Sequence, residues 1–182
     1  MIEARLPRDL TMDADILFSP FKPRRHRHQQ CIDDALSAAE ILCTGRGRKL
    51  TPLRRRVLEL IWSRHEPARA YDILEQLDGE GKSGAPPTVY RALEFLLANG
   101  LVHRIQSLNA YVGCGEPGTM HAGQFLICQG CNAVGELDDP EIEALITDKA
   151  GATGFDVQRQ TIEIMGLCPD CTGANMESGR AA

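Results

Sequence analysis

The sequence predicts an α+β protein, with an N-terminal winged helix-turn-helix domain and a small α/β C-terminal dimerisation domain. Three observations predict it. Apolar residues recur every three to four positions through four segments before Gly100 and fall into short strand-like runs after it. The 182 residues carry a formal net charge of −5, but unevenly: 17 basic against 14 acidic side chains through Arg104, and 3 against 11 from Ile105 onward. A basic-leaning first part joined to an acidic second part suits a nucleic-acid-facing domain coupled to one that is not. Two Cys-x-x-Cys pairs, both in the acidic part, are the third observation.

At 43% hydrophobic and 25% charged, the chain can build one or two small domains with real cores. No apolar run approaches the roughly 20 residues of a membrane-spanning helix, and the N-terminus lacks the apolar stretch of a secretory signal. A cytoplasmic location is therefore expected. Seven cysteines, an odd number, fit poorly with a closed disulfide set and in a reducing compartment point to metal.

Residues 1–30, with Pro7, Pro20, Pro23 and the run from Arg24 to His28, hold no sustained apolar period and are expected to be a mobile arm. From Cys31 the spacing of Ile32, Leu36, Ala39 and Leu42 predicts a first helix, ended by Gly45 and Gly47 and holding Cys43. Thr51-Pro52 is an N-cap with proline at the first helical position, and Val57, Leu58, Ile61 and Trp62 follow as an apolar face. Pro67 precedes a third helix with the stripe Ala70, Ile73, Leu74 and Leu77; Gly79, Gly81 and Gly84 form a connection. Pro86-Pro87 opens a fourth helix with the stripe Val89, Leu93, Leu96 and Leu97, and Gly100 suits a left-handed C-cap.

Leu101–Ile105 and Ala110–Val112 read as two strands around the turn Ser107-Leu108-Asn109, the wing. Beyond it, strands are expected at Gln124–Ile127, Ala133–Leu137 and Phe155–Ile164, with a helix from Pro140 to Ala150. The expected division is 1–30 arm, 31–113 winged-helix domain with hinge, 114–172 metal-binding dimerisation domain, and 173–182 disordered tail.

Cys128 and Cys131 form one Cys-x-x-Cys pair and Cys168 and Cys171 the other, with 36 residues between Cys131 and Cys168. Each two-residue gap lets a tight turn aim both sulfurs at one ion, and four thiolates make the closed tetrahedral shell of structural zinc. A redox Cys-x-x-Cys needs only one pair, set at a helix N-terminus. A second candidate set is His103, Cys114, His121 and Glu136, placed about the hinge. Two imidazoles, one thiolate and one carboxylate suit tetrahedral zinc, whereas iron(II) or manganese favours sites without thiolate. Each has a plainer reading too: a surface strand histidine, a small buried thiol, a loop histidine, a solvated charge. Spacing leaves both readings open.

With Val89, Leu93, Leu96 and Leu97 facing the core, the fourth helix turns Thr88, Tyr90, Arg91 and Glu94 outward, where a recognition helix reads DNA. Arg91 suits a bidentate contact with guanine, and Tyr90 suits a thymine methyl or a phosphate. Arg54, with Arg55 and Arg56, is expected to hold phosphates. A solvated helix face is the plainer reading.

Leu50-Thr51-Pro52 with Arg54, Ala70-Tyr71-Asp72, the run from Pro86 to Leu93, Gly100-Leu101-Val102-His103 and both cysteine pairs together resemble the ferric uptake regulator family, in particular its zinc-sensing branch. The resemblance spans about Cys31 to Thr172. It implies a homodimeric, zinc-responsive repressor, not an enzyme, that binds pseudo-palindromic AT-rich double-stranded DNA operators of zinc-uptake genes. No small-molecule substrate other than the metal ion is implied. By position, His103, Cys114, His121 and Glu136 match the family's regulatory zinc ligands and the four paired cysteines its structural site, two Zn2+ per chain. Iron-sensing members typically carry a histidine-rich cluster before the first cysteine pair, which is absent here. A third ion at His26, His28 and Cys31 is not favoured over a basic arm.

Three other functions stand beside this one. Another metal within the same family is the first. A zinc hydrolase or deaminase is the second, and it needs His-x-Glu before its cysteine pair, whereas Ala122 and Gly123 follow His121. A zinc-built protein interaction module that never meets DNA is the third, and it would leave Tyr90 and Arg91 idle.

Overall fold

The computed structural model describes residues 21, 28–64, 66–81, 86–119, 121 and 123–178, with backbone alone for 174–178. The N-terminal arm, and with it His26, lies outside the described residues apart from residue 21 and residues 28–30.

Four helices and a hairpin make the first unit: α1 (His28–Gly45), α2 (Pro52–Trp62), α3 (Ala70–Gly79), α4 (Pro86–Ala98), β1 (Val102–Ile105) and β2 (Ala110–Gly113). The caps operate as expected. Thr51 accepts the Arg54 amide with Pro52 in the first turn of α2, and Gly100 has φ +66°, letting the Leu101 amide return to the Leu96 carbonyl at 2.9 Å. Helix α1 starts three residues before the expected Cys31. Glutamines 29 and 30 each donate one turn ahead, to Asp33 and Asp34, so polar side chains extend it where no apolar period exists.

One continuous core joins Ile32, Leu36, Ala39 and Cys43 of α1 to Val57, Leu58 and Ile61 of α2, Ile73 and Leu77 of α3, and Val89, Leu93 and Leu96 of α4. Leu101, Val102 and Tyr111 of the wing belong to it as well. Helix α4 and the wing therefore share one packed interior, and a bridge between Ala68 and Tyr111 ties the approach to α3 to the wing.

The second unit is a three-stranded sheet of order β4-β3-β5, from β3 (Gly123–Cys128), β4 (Val134–Leu137) and β5 (Thr161–Gly166), with α5 (Pro140–Gly151) between β4 and β5 and α6 (Pro169–Ser178) last. Strand β3 pairs antiparallel with β4 and parallel with β5, the parallel crossover running through α5. Its core is small. Phe125 and Ile127 pack with Ile105 of the wing, flanked by Leu108, Val112 and Val134, so the two units meet through a shared apolar seam.

Two expectations are corrected. Strand β5 begins at Thr161 rather than Phe155, because Gly154 takes φ +81° and the Phe155 amide returns to Ala150, so these residues terminate α5 instead. Residues 173–178, expected in a disordered tail, continue α6, whose first turn is fixed by Thr172 donating to the Cys168 carbonyl. Residues 179–182 lie outside the described ones. Among the described residues no helix is long and apolar enough to cross a membrane.

Gly113 at the end of β2 lies flat against the Trp62 ring, leaving no space for a Cβ. Gly113→Ala is expected to destabilise the first unit by about 1–3 kcal/mol. Urea unfolding followed by the emission of Trp62, the single tryptophan, measures both the loss and the displaced ring.

Candidate metal centres and nucleic-acid interface

Parallel pairing of β3 with β5 brings the two cysteine pairs together. Cys128 ends β3 opposite Gly166 of β5, so both chains leave the same end of the sheet and turn toward each other. The first turn is closed by Asn132 donating to the Cys128 carbonyl at 2.8 Å, with Asn132 at φ +56°. Gly130 keeps this turn close to the second pair: a Cβ there would stand 3.0 Å from the Cys171 sulfur and crowd it. The second pair enters α6.

The ligand atoms of Cys128, Cys131, Cys168 and Cys171 all lie within 4.8 Å of one another, and none is in a disulfide. Cys131 Sγ and Cys168 Sγ are 3.7 Å apart. Thiolates at about 2.3 Å from a central ion stand about 3.8 Å apart along a tetrahedral edge, so the cluster has the dimensions of such a shell. Burial acts to raise the Cys128 thiol, but amides of Cys168, Cys131 and Gly130 converge on its sulfur and bring it down to about 6. Hydrogen bonds from Cys168, Cys128 and Cys131 push Cys171 up to about 12. Neighbouring thiols thus share protons, and full ionisation needs a cation.

The second cluster draws its residues from four places along the chain. His103 stands on β1, Cys114 just past β2, His121 before β3, and Glu136 on β4, and their ligand atoms also lie within 4.8 Å of one another. Glu136 Oε1 is 2.7 Å from His103 Nε2 and 2.9 Å from His121 Nε2, while its Oε2 accepts the Gly115 amide at 2.9 Å. Cys114 Sγ lies 3.8 Å from His121 Nε2, and the two imidazole nitrogens are 3.2 Å apart. One nitrogen of each ring, one sulfur and one carboxylate oxygen thus face a common point. The donor set fits zinc.

Cys114 and Glu136 are 2% and 3% exposed, so the centre is shielded from water. Burial, reinforced by the Glu136 charge, pushes the Cys114 thiol up to about 12. Burial acts to raise Glu136 too, but hydrogen bonding and charge from His103, with the Gly115 amide and His121, outweigh it and hold the carboxyl below its usual range. Metal-free, the centre holds a carboxylate and a protonated thiol, and a metal entering it must displace the thiol proton.

Sequence reasoning did not find two supports of this centre. The Gly115 amide orients Glu136, and Thr119 Oγ1 stands 3.2 Å from His121 Nδ1, fixing the ring from behind. Thr119 lies two residues before His121, a local signal too common to single out.

On α4, Thr88, Tyr90, Arg91 and Glu94 are exposed while Val89, Ala92, Leu93 and Leu96 are buried. A groove of about 550 Å³ runs between α4, the start of α3 and the wing; Arg69, Tyr71, Tyr90, Arg104 and Asn109 are among its lining residues. Arg69, Tyr71 and Arg104 were not singled out in the sequence, although Tyr71, 73% exposed, sits within a quoted motif. The α2 arginines make contacts within the domain. Arg54 lies 3.6 Å over the Phe95 ring and donates to the Lys49 carbonyl, Arg55 pairs with Glu40, and Arg56 pairs with Glu59 and Glu80. All three are engaged within the domain, so a phosphate would have to compete for them.

The ferric uptake regulator family model matches residues 45–165. The zinc uptake regulation protein of Escherichia coli (strain K12) is 38% identical over 141 residues, covering 76% of this chain and 81% of that protein. That of Mycobacterium tuberculosis (strain H37Rv) is 30% identical over 128 residues, 69% of this chain and 95% of that one. Among solved structures, a zinc uptake regulator complexed with zinc and DNA is similar with a TM-score of 0.74 and 36% identity, over 80% of this chain and 97% of that chain. The crystal structure of holo XcZur has a TM-score of 0.72 and 42% identity, over 78% and 99%.

Cys168→Ser, which removes a buried sulfur joining the two turns, is expected to cost about one bound metal ion per chain and to unfold the second unit while the helical unit persists. Metal content by atomic emission and circular dichroism check the two parts.

Proposed function

This chain belongs to the ferric uptake regulator family, and from that membership we propose that it is a zinc-responsive transcriptional repressor, acting as a homodimer on palindromic AT-rich operators of zinc-uptake genes. Members of this family regulate transcription and are not enzymes. One observation carries the reading: the cluster His103, Cys114, His121 and Glu136 spans the junction between wing and sheet. Its occupancy therefore bears on how the reading helix is held.

In this reading Cys128, Cys131, Cys168 and Cys171 hold a structural zinc and the hinge cluster a regulatory zinc, two per chain. Zinc, when bound, supplies a divalent charge and four directional bonds. The protein does the rest. His103 brings the wing, Glu136 the sheet, and Cys114 and His121 the two ends of the loop between them, so one orientation of wing against sheet is selected from those the metal-free hinge samples. The thiolate favours zinc over iron(II) or manganese. Glu136 belongs to the candidate ligand shell rather than standing outside it as a proton carrier, which argues against the hydrolase reading.

Thr88, Tyr90 and Arg91 are assigned to base and backbone contacts from α4, and Arg54 to holding the start of α2 in place through Lys49 and Phe95. The second unit is assigned to dimerisation. No residue of α5 is buried, Leu145 is 58% exposed, and β5, an edge strand, carries Ile164 and Met165 at 46% and 50%. Apolar surface of this extent on a unit with so small a core is expected to be covered by a second copy. A twofold dimer presents two copies of α4, which matches a palindromic operator. The proposed domains are 31–113 and 114–172, in a cytoplasmic protein.

Zinc titrations of operator binding test the reading. The wild-type chain is expected to shift a duplex carrying its operator only when exchangeable zinc is present. Cys114→Ser is expected to lose that response while remaining a folded dimer by light scattering; normal zinc-dependent binding would remove Cys114 from the sensing site. Arg91→Ala is expected to weaken specific binding by about 1–3 kcal/mol with unchanged zinc content, and unaltered operator affinity would end its assigned role.

A further inference from the structure

Glu136, Phe125 and Glu163 form one row across the second sheet. Phe125 of β3 is in register with Glu136 on β4 and with Glu163 on β5, and opposed residues on neighbouring strands place their side chains on one face. That row meets the wing stretch by stretch. Glu136 Oε1 lies 2.7 Å from His103 Nε2 near the start of β1. Phe125 packs with Ile105 at the end of β1, its ring centroid 5.3 Å from that of His103. Glu163 accepts the backbone amides of Gln106 at 2.6 Å and Ser107 at 3.0 Å in the wing turn.

The dimensions agree, since two strand spacings and three residues of extended chain both measure about 10 Å. The wing therefore lies across the sheet and is pinned at both ends by a carboxylate, with an apolar contact between. Only one of these carboxylates belongs to a metal cluster. The other holds two amides at the head of a turn, one on each oxygen, in charge-assisted hydrogen bonds. Burial acts to raise the Glu163 carboxyl, but hydrogen bonds from Ser107 and the Gln106 amide outweigh it and hold it below its usual range.

We propose that Glu163 is a positioning residue for DNA binding: a latch, independent of metal, that holds the wing turn on β5 and sets the orientation which the hinge cluster locks from the other end. This rests on the reading of that cluster as the zinc sensor. The latch reaches the reading helix because Leu101, Val102 and Tyr111 share a core with Val89, Leu93 and Leu96, so wing and α4 move as one body. Latch and metal favour the same orientation. By linkage, losing the latch weakens both DNA binding and binding of the exchangeable ion.

Glu163→Gln and Glu163→Ala are compared with the wild-type full chain. The probe is a fluorescein-labelled duplex enriched from a random pool by the wild-type chain in excess zinc. Anisotropy is read with zinc and after chelation of the exchangeable ion, zinc affinity is read by competition with a chromophoric chelator, and melting is recorded. The glutamine variant, which keeps one acceptor, is expected to weaken zinc-loaded DNA binding severalfold and the alanine variant about tenfold. Zinc affinity falls in the same order, while zinc content at saturation and melting stay at the wild-type level. Affinities for duplex and zinc within about twofold of wild type in both variants would overturn the latch. So would losses that track a lowered melting temperature in both variants, which would make Glu163 merely structural. If the wild-type chain grips the duplex equally with and without exchangeable zinc, the sensor reading fails on its own, and the wild-type-to-variant comparison still decides the latch.

Discussion

A carboxylate buried in low-dielectric surroundings must be compensated, and Glu136 meets that demand with groups drawn from every side of the hinge. Its partners are His103 from the wing, and the Gly115 amide and His121 from the loop that leads from wing to sheet. The chain cannot separate wing from sheet without stripping a buried charge of its partners. In the proposed reading a divalent cation would answer the same electrostatic demand with stricter geometry, in place of the proton-bearing network. Cys114, buried beside that negative charge, has its thiol pushed up to about 12.

The four-cysteine cluster solves a different problem. Three strands and an α5 without buried residues enclose a core of few apolar side chains, little for a unit of this size to stand on by itself. Crosslinking the ends of β3 and β5 through one ion would hold the sheet where apolar contacts are fewest. Parallel pairing makes this possible, because it delivers both pairs to one end of the sheet; an antiparallel pairing would send them to opposite ends.

The net charge of −5 gives little guide to the nucleic-acid interface. Basic groups concentrate before residue 105, yet the run Arg54-Arg55-Arg56 is largely occupied by Lys49, Phe95, Glu40, Glu59 and Glu80. In the proposed reading, the face offered to DNA is the exposed side of α4 together with the groove that Arg69, Tyr71 and Arg104 help to line.

Much of this was legible in the sequence, because the signals are local. Proline, threonine and glycine at helix ends act within a turn, apolar periodicity acts within a helix, and Cys-x-x-Cys is a single turn. The four helices of the first unit, the wing and the two Cys-x-x-Cys turns follow from such signals, whereas His103, Cys114, His121 and Glu136 stood open by spacing and were singled out as a set by the family resemblance. The start of β5 did not, because a left-handed Gly154 claims Phe155 for the end of α5; nor did the continuation of α6, which lacks an apolar stripe. The partners of the arginines, the convergence of pairs separated by 36 residues, and the row Glu136, Phe125, Glu163 were decided by tertiary structure alone. Each depends on which strand lies beside which and in what register, and register arises from the packing of the whole unit rather than from neighbours along the chain.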